Sequence, residues 1–253
     1  MIDPFHLEAY GKTAVNYNRD IEIFPVLNAI FEGIYGHNPY KSPTDMGVNM
    51  VGFCISDDEA CCEASRQEII RRYFVSLNRL AQGLATEAEV NKISLLFKQA
   101  KIDINYRKCI APARERAQLS DLPASAMELH DGTIITAGSG ELLGPSSALL
   151  LNVLKHLAGI DHRVKLIPQA MIEPIQHTKL SYLRGNNPRL HTDEVLVALS
   201  VLSTHDQQCR RALEQLPSLF GCQMHSTVML GEVDHKIFRK LGVGLTCDPV
   251  RKP

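Results

Sequence analysis

Residues 144–159 read GPSSALLLNVLKHLAG, and this stretch most narrows what the chain can fold into. Pro145 suits a first helical turn, because its missing N–H would have no intrahelical acceptor there, and Gly159 is a stop signal. The helix between them is apolar nearly all round. Such a helix must be covered on several sides, and it is far too short to cross a bilayer. It is therefore the centre of a layered domain.

The flanking sequence supplies the layers. In AMELHDGTIITA, Asp131-Gly132 separates two short apolar runs, a hairpin signal because glycine tolerates the positive φ of a tight turn. After the central helix, RVKLI reads as a short strand and QAMIEPIQHTKLSYL as a helix, followed by helices in TDEVLVALSVLS and DQQCRRALEQL. QMHSTVML then reads as a strand, DHKIFRKL as a helix and VGLTC as a last strand. This alternation predicts an α/β domain over 121–253 whose first two strands are antiparallel.

The chain before it carries helical periodicity. Ile23, Leu27, Ile30 and Ile34 recur at three- and four-residue steps, the stripe of an amphipathic helix. Ser56 with Glu59, and Thr86 with Glu89, have capping-box spacing. The first box precedes the stripe Ile70, Tyr73, Phe74, Leu77; the second precedes Val90, Ile93, Leu96, Phe97. Residues 1–120 thus read as a mainly helical segment, with AQLSDLPAS as a linker. Between the helices, residues 36–52 form a long loop punctuated by Gly36, Pro39, Pro43, Gly47 and Gly52, and such loops are often functional.

Composition excludes several function classes. A formal net charge of −1 gives no field to hold a polyanion, and no basic stripe with interleaved aromatics occurs, so nucleic acid is not an expected partner. The seven cysteines show no CxxC pair and no framework spacing and read as buried thiols of a reducing compartment. Without a signal-peptide pattern or a membrane-length apolar run, no membrane partner is expected and the expected location is the cytoplasm.

Two residue pairs bear on zinc chemistry. His6-x-Glu8 matches part of a zinc deaminase signature, but that chemistry requires a PCxxC partner, which is absent. Cys222-x-x-His225 lacks further ligands and reads better as a buried thiol beside a locally bonded strand histidine. No metal is expected, and no cofactor is assigned.

Two polar stretches concentrate other chemistry. In DPFHLEAYGKTAVNYNR, Lys12 and Arg19 could neutralise a phosphate or carboxylate, with His6 or Glu8 as acid or base. In YKSPTDMGVN, Lys41, Thr44, Asp45 and Asn49 add a cation, a hydroxyl, a carboxylate and an amide, with Asp45 a further acid–base candidate. Both stretches could equally be polar interface. A third feature is GSGELLGPSS, glycines followed by a helix start with two hydroxyls. It could hold an anion through free N–H groups, although such loops more often only cap a helix.

The stretches MIDPFHLEAYGKTAVNYNRDIEIFPVL, NPYKSPTDMGVN, DDEACCEASRQEIIRRYF, NNPRLHTDEVLVALS and FRKLGVGLTCDP together resemble the bacterial family called domain of unknown function 1846, or uncharacterised protein family 0371. The resemblance runs over essentially the whole chain. It implies proteins about twice this length, of which this chain is similar to the C-terminal half. It also implies an N-terminal α/β portion with a phosphate-loop-like segment, a helical middle segment and a C-terminal domain of deaminase-like topology with a mixed sheet. No reaction is implied. The expectation is a cytoplasmic, truncated chain that binds a phosphorylated or nucleotide-like ligand at the junction with a missing N-terminal half, through Lys12, Arg19, Lys41, Thr44, Asp45 and Asn49. The rival expectation is a structural module without catalysis, and a homo-oligomer is expected in either case.

Overall fold

The computed structural model describes residues 30, 33–36 and 58–250. The chain divides into two compact units, Met1–Tyr106 and Arg107–Pro253.

In the first unit, α1 (Asp58–Ala81) packs against α2 (Glu87–Ala100). The Thr86–Glu89 pairing read from the sequence is present: the Glu89 carboxylate accepts from both the backbone N–H and the hydroxyl of Thr86. The apolar stripes meet where Ile69, fully buried, packs against Leu96, Phe97, Ala100 and Ile102. Tyr73 adds an edge-to-face ring contact with Phe97 at 5.0 Å, a geometry that matches a ring's positive edge to its neighbour's negative face.

The second unit contains a four-stranded sheet, ordered β2-β1-β3-β4 and formed by β1 (Ala124–Glu128), β2 (Ile134–Gly138), β3 (Gln223–Ser226) and β4 (Gly244–Cys247). β1 runs antiparallel to β2 and to β3, while β3 and β4 are parallel, so the sheet is mixed as expected. The Asp131-Gly132 hairpin is present. Gly132 has φ +81°, its N–H donates to the Leu129 carbonyl, and the Asp131 carboxylate accepts from Thr133 N.

Alternation along the strands assigns the two faces. Met127, Met224 and Leu245 belong to the main apolar core with α4 (Pro145–Leu157), α6 (Thr192–Leu202), α7 (Gln207–Leu213) and α8 (Glu232–Lys240). α4 is central, as its composition requires: Leu149, Leu150, Val153 and Leu154 are all fully buried. The opposite face is covered by α3 (Ile110–Ser120), whose Ala113 packs with Cys109 against Ala126 of β1. This face is partly polar. His225 and Thr246, paired neighbours on β3 and β4, are buried there with Arg107.

Three local expectations are corrected. AQLSDLPAS is no linker: Ala117–Ser120 finish α3, and Ala124-Ser125 begin β1. Ile110–Ser120 belongs to the second unit, where its buried Ala113 packs with Cys109 against Ala126 of β1. RVKLI, residues 163–167, is not a strand. Lys155 Nζ donates to the carbonyls of His162 and Val164, and the Asp161 carboxylate accepts from Arg163 N, so this backbone is satisfied without a ladder. The helix expected over QAMIEPIQHTKLSYL is α5 (Gln169–His177) followed by a wider π turn over Thr178–Tyr182.

Candidate functional site

His6, Glu8, Lys12, Arg19, Lys41, Thr44, Asp45 and Asn49 lie outside the described residues. Within the second unit, the third stretch singled out from the sequence, GSGELLGPSS, borders a cleft of about 640 Å³.

The cleft lies between the β2–α4 connection and the loop that enters α6. Its lining includes Ser139, Glu141, Ser146, Arg189, His191 and Asp234. The two walls are tied together by backbone and side-chain bonds. Leu190 N donates to Leu142 O at 2.9 Å, Arg189 Nε to Gly140 O at 2.7 Å, and Ser147 Oγ to Leu190 O at 2.8 Å. Lys179 Nζ holds the outer loop by donating to the Arg189 carbonyl and to Glu194, whose carboxylate also accepts from His191 N. The positions of Arg189 and His191 are therefore set by the fold rather than by an exposed flexible loop.

The floor is the start of α4. Gly144 is its N-cap and offers no side chain, and Pro145 has no N–H, so the N–H groups of Ser146 and Ser147 begin the helix without an intrahelical acceptor. Ser146 is fully buried, and among the described residues its Oγ has no hydrogen-bond partner. A buried hydroxyl left unpaired costs about 1–3 kcal/mol, and Ser146 Oγ is such a donor at a helix start that no side chain caps. Among the described residues, the Arg189 side chain is hydrogen-bonded through Nε to Gly140 and its two terminal nitrogens make no bond.

Carboxylates also line the cleft. The side chain of Asp234 is 1% exposed, and its Oδ1 accepts from the N–H and the hydroxyl of Thr192 at the start of α6. The positive end of α6 thus meets this charge, as a capping carboxylate does. His191 Nδ1 lies 3.6 Å from the other oxygen of Asp234. The starts of α4, α6 and α8 consequently gather at this end of the unit. Ligand sites in α/β domains commonly occupy such a place, outside the carboxyl ends of the parallel strands.

A second polar cluster lies under α3. Arg114 holds both oxygens of Asp248, His225 Nε2 is 3.4 Å from the same carboxylate, and Thr246 Oγ1 is 2.9 Å from His225 Nδ1. Arg107 reaches the Gly244 carbonyl and Thr246. Burial pushes His225 below the usual imidazole range, with Asp248 partly opposing. Burial also works against the charge of Asp248, but hydrogen bonding by His225 and Arg114 outweighs it and brings its pKa down to about 2. The Arg114–Asp248 pair in this cluster fastens α3 to the chain just after β4. His225 therefore belongs to a local network, as expected from the sequence, and Cys222 donates to the Ser218 carbonyl instead.

Arg189, His191 and Asp234 were not singled out from the sequence. The available signal was NNPRLHTDE, a turn cluster leading into a helix whose acidic first turn sits behind an arginine and a histidine. Asp234 carried no local signal, being one acidic residue in the first turn of α8.

Comparison with known proteins places this geometry in a family. Residues 1–101 match the N-terminal domain, and residues 105–252 the C-terminal domain, of the domain of unknown function DUF1846. A UPF0371 protein of Corynebacterium aurimucosum is 53% identical over 250 residues, covering 99% of this chain and 50% of the relative. One from Corynebacterium urealyticum is 51% identical, and one from Streptococcus pneumoniae 49% identical, each over 98% of this chain and 50% of the relative. The chain spans about half the length of the curated relatives it matches. No helix among the described residues is long and apolar enough to cross a membrane. With both of its domains matched and half the residues shared with these relatives, the chain belongs to the DUF1846 (UPF0371) family.

Proposed function

We propose that the second unit binds a small phosphorylated or nucleotide-like molecule, with its phosphate at the start of α4. The observation that carries this reading is the buried, unpartnered Oγ of Ser146 on the wall of the cleft, at a helix start that no side chain caps. An oxyanion placed there accepts from that hydroxyl and from the first free N–H groups, and the helix dipole favours its charge. Arg189, fixed by Gly140 and with two nitrogens to spare, supplies a forked second contact of the kind that suits phosphate. The two carboxylates do not cancel this. Asp234 is engaged by Thr192, while Glu141 and the neighbouring Asn186 are exposed at the mouth, where they suit the hydroxyls or amine of the organic part. The deaminase-like topology belongs to the same proposal, with strand order 2-1-3-4 as its support.

Titration of the chain with inorganic phosphate, followed by phosphorus NMR or calorimetry, tests the reading. Binding is expected in wild type, weakened at least about tenfold by Ser146→Ala or Arg189→Gln, the loss of one charge-assisted hydrogen bond. Undiminished binding in both variants, or none in wild type at millimolar phosphate, overturns it.

A further inference from the structure

Among the described residues lining the cleft, His191 is the imidazole, the side chain suited to proton transfer, and Glu194 and Asp234 contact it. Its backbone N–H is held by Glu194, which Lys179 holds in turn. Its Nδ1 lies 3.6 Å from Asp234 Oδ2, its side chain also meets the backbone N–H of Glu194 in a capping box, and Asp234 is itself anchored by Thr192 through Oδ1. The His191 side chain is 27% exposed and lines the cleft, and with Nδ1 beside a buried carboxylate, Nε2 is the ring nitrogen left for an occupant. The charged groups around it are Asp234 from α8, Arg189 on its own loop, Glu141 across the cleft, and the paired Glu194 and Lys179. A buried carboxylate 3.6 Å from Nδ1 is placed to orient the ring, as the carboxylate behind an acid–base histidine does.

We propose that His191 is a general acid acting on a phosphate monoester bound in the cleft, with Asp234 as its positioning residue. This rests on the anion-binding reading above. The phosphate sits on Ser146, the α4 start and Arg189. Water adds to phosphorus as the bond between phosphorus and the ester oxygen breaks, and that oxygen keeps the electron pair and takes the proton from His191 Nε2. The proton lost by the attacking water restores the imidazolium. The products are an alcohol and inorganic phosphate, and no oxidant or further reactant is required.

A general acid matters for a leaving group that departs poorly without a proton and hardly at all for one that departs well. The test therefore compares glycerol phosphate, an alkyl ester, with p-nitrophenyl phosphate, whose phenolate leaves readily. Both are measured on the same preparations of wild type, His191→Gln and Asp234→Asn. In His191→Gln, alkyl ester turnover is expected to fall by at least about 10²-fold and aryl ester turnover by less than about tenfold. The ratio of the two is independent of how much variant is folded. Asp234→Asn retains an acceptor for Thr192 but removes the charge behind His191, so turnover of glycerol phosphate is expected to fall at least about tenfold more than that of the aryl ester. Equal losses on both esters, or an unchanged ratio in either variant, overturn the proposal. If wild type binds inorganic phosphate yet hydrolyses neither ester, the proposal fails and the binding reading stands. If phosphate does not bind, both fail.

Discussion

Asp234, in the first turn of α8, caps a different helix: Thr192 at the start of α6 donates its backbone N–H at 3.1 Å and its hydroxyl at 2.7 Å to the same oxygen, Oδ1. One carboxylate thus joins two helix starts and stands behind His191. Asp234→Ala removes the cap acceptor and leaves Thr192 buried without it, so a loss of roughly 2 kcal/mol is expected. Asp234→Asn is expected to lose less than about 1 kcal/mol, because the amide oxygen still accepts. Urea denaturation midpoints of the three proteins check both figures.

The cluster under α3 predicts how stability depends on acid. Burial lowers the proton affinity of His225 relative to its ordinary value of 6.5, as it does for His235, so the folded chain binds fewer protons than the unfolded chain. That stability is present above pH 6.5 and declines as the pH falls below it. Asp248, with its pKa brought from 3.8 to about 2, contributes stability that is complete above pH 3.8 and is lost as the pH falls toward 2, an amount of roughly 2 kcal/mol. Urea midpoints measured across this range should fall in two stages. His225→Gln should flatten the upper stage, leaving the share of His235.

Buried thiols should be inert. Burial pushes Cys109 up to about 12 despite the opposing charge of Arg107, and Cys209 and Cys222 are raised by burial as well. The thiolate is the reactive form, so a maleimide at pH 7.5 is expected to spare these three cysteines in the native chain and to label them in urea. Peptide mapping by mass spectrometry reads the result. Native labelling of Cys109 would show that α3 lifts from the sheet.

Gly242 is required both for its backbone and for its lack of a side chain. Its φ is +73°, and an added Cβ would stand 2.3 Å from Cδ2 of Phe220. Gly242→Ala combines left-handed strain of about 1 kcal/mol with displacement of the ring, so a loss of roughly 1–3 kcal/mol is expected. The double variant with Phe220→Ala should recover the steric part. Thermal denaturation of the single and double variants separates the two.

Leu150, fully buried in α4, tests the centrality of that helix. Leu150→Ala is expected to cost about 2–5 kcal/mol through lost burial and a residual cavity. A urea midpoint close to that of wild type would show that α4 is not the centre of the core.

The division between what sequence and tertiary structure determine follows from the range of the forces. The signals that succeeded act within a few residues. Pro145 and Gly159 bound α4 because one lacks an N–H and the other tolerates φ +63°; Asp131-Gly132 makes the hairpin that pairs β1 with β2. The nearly continuous apolar circumference of residues 145–157 demanded a central, layered position. Where local signals failed, distant groups had intervened. Val164, Leu166 and Ile167 have a strand's composition, yet Lys155 satisfies the backbone nearby, and Leu166 and Ile167 are buried without a ladder. The stripe of α3 is small and weak because it lies on a partly polar sheet face, where Arg114 binds Asp248 across 134 positions. The site divides in the same way. The glycines and hydroxyls of GSGELLGPSS announced a helix start open to an anion, a property of one contiguous segment. Arg189, His191 and Asp234 reach that start only because the chain crosses over the sheet and returns, and no periodicity or turn rule records which carboxylate a fold will bring behind a histidine 43 residues away.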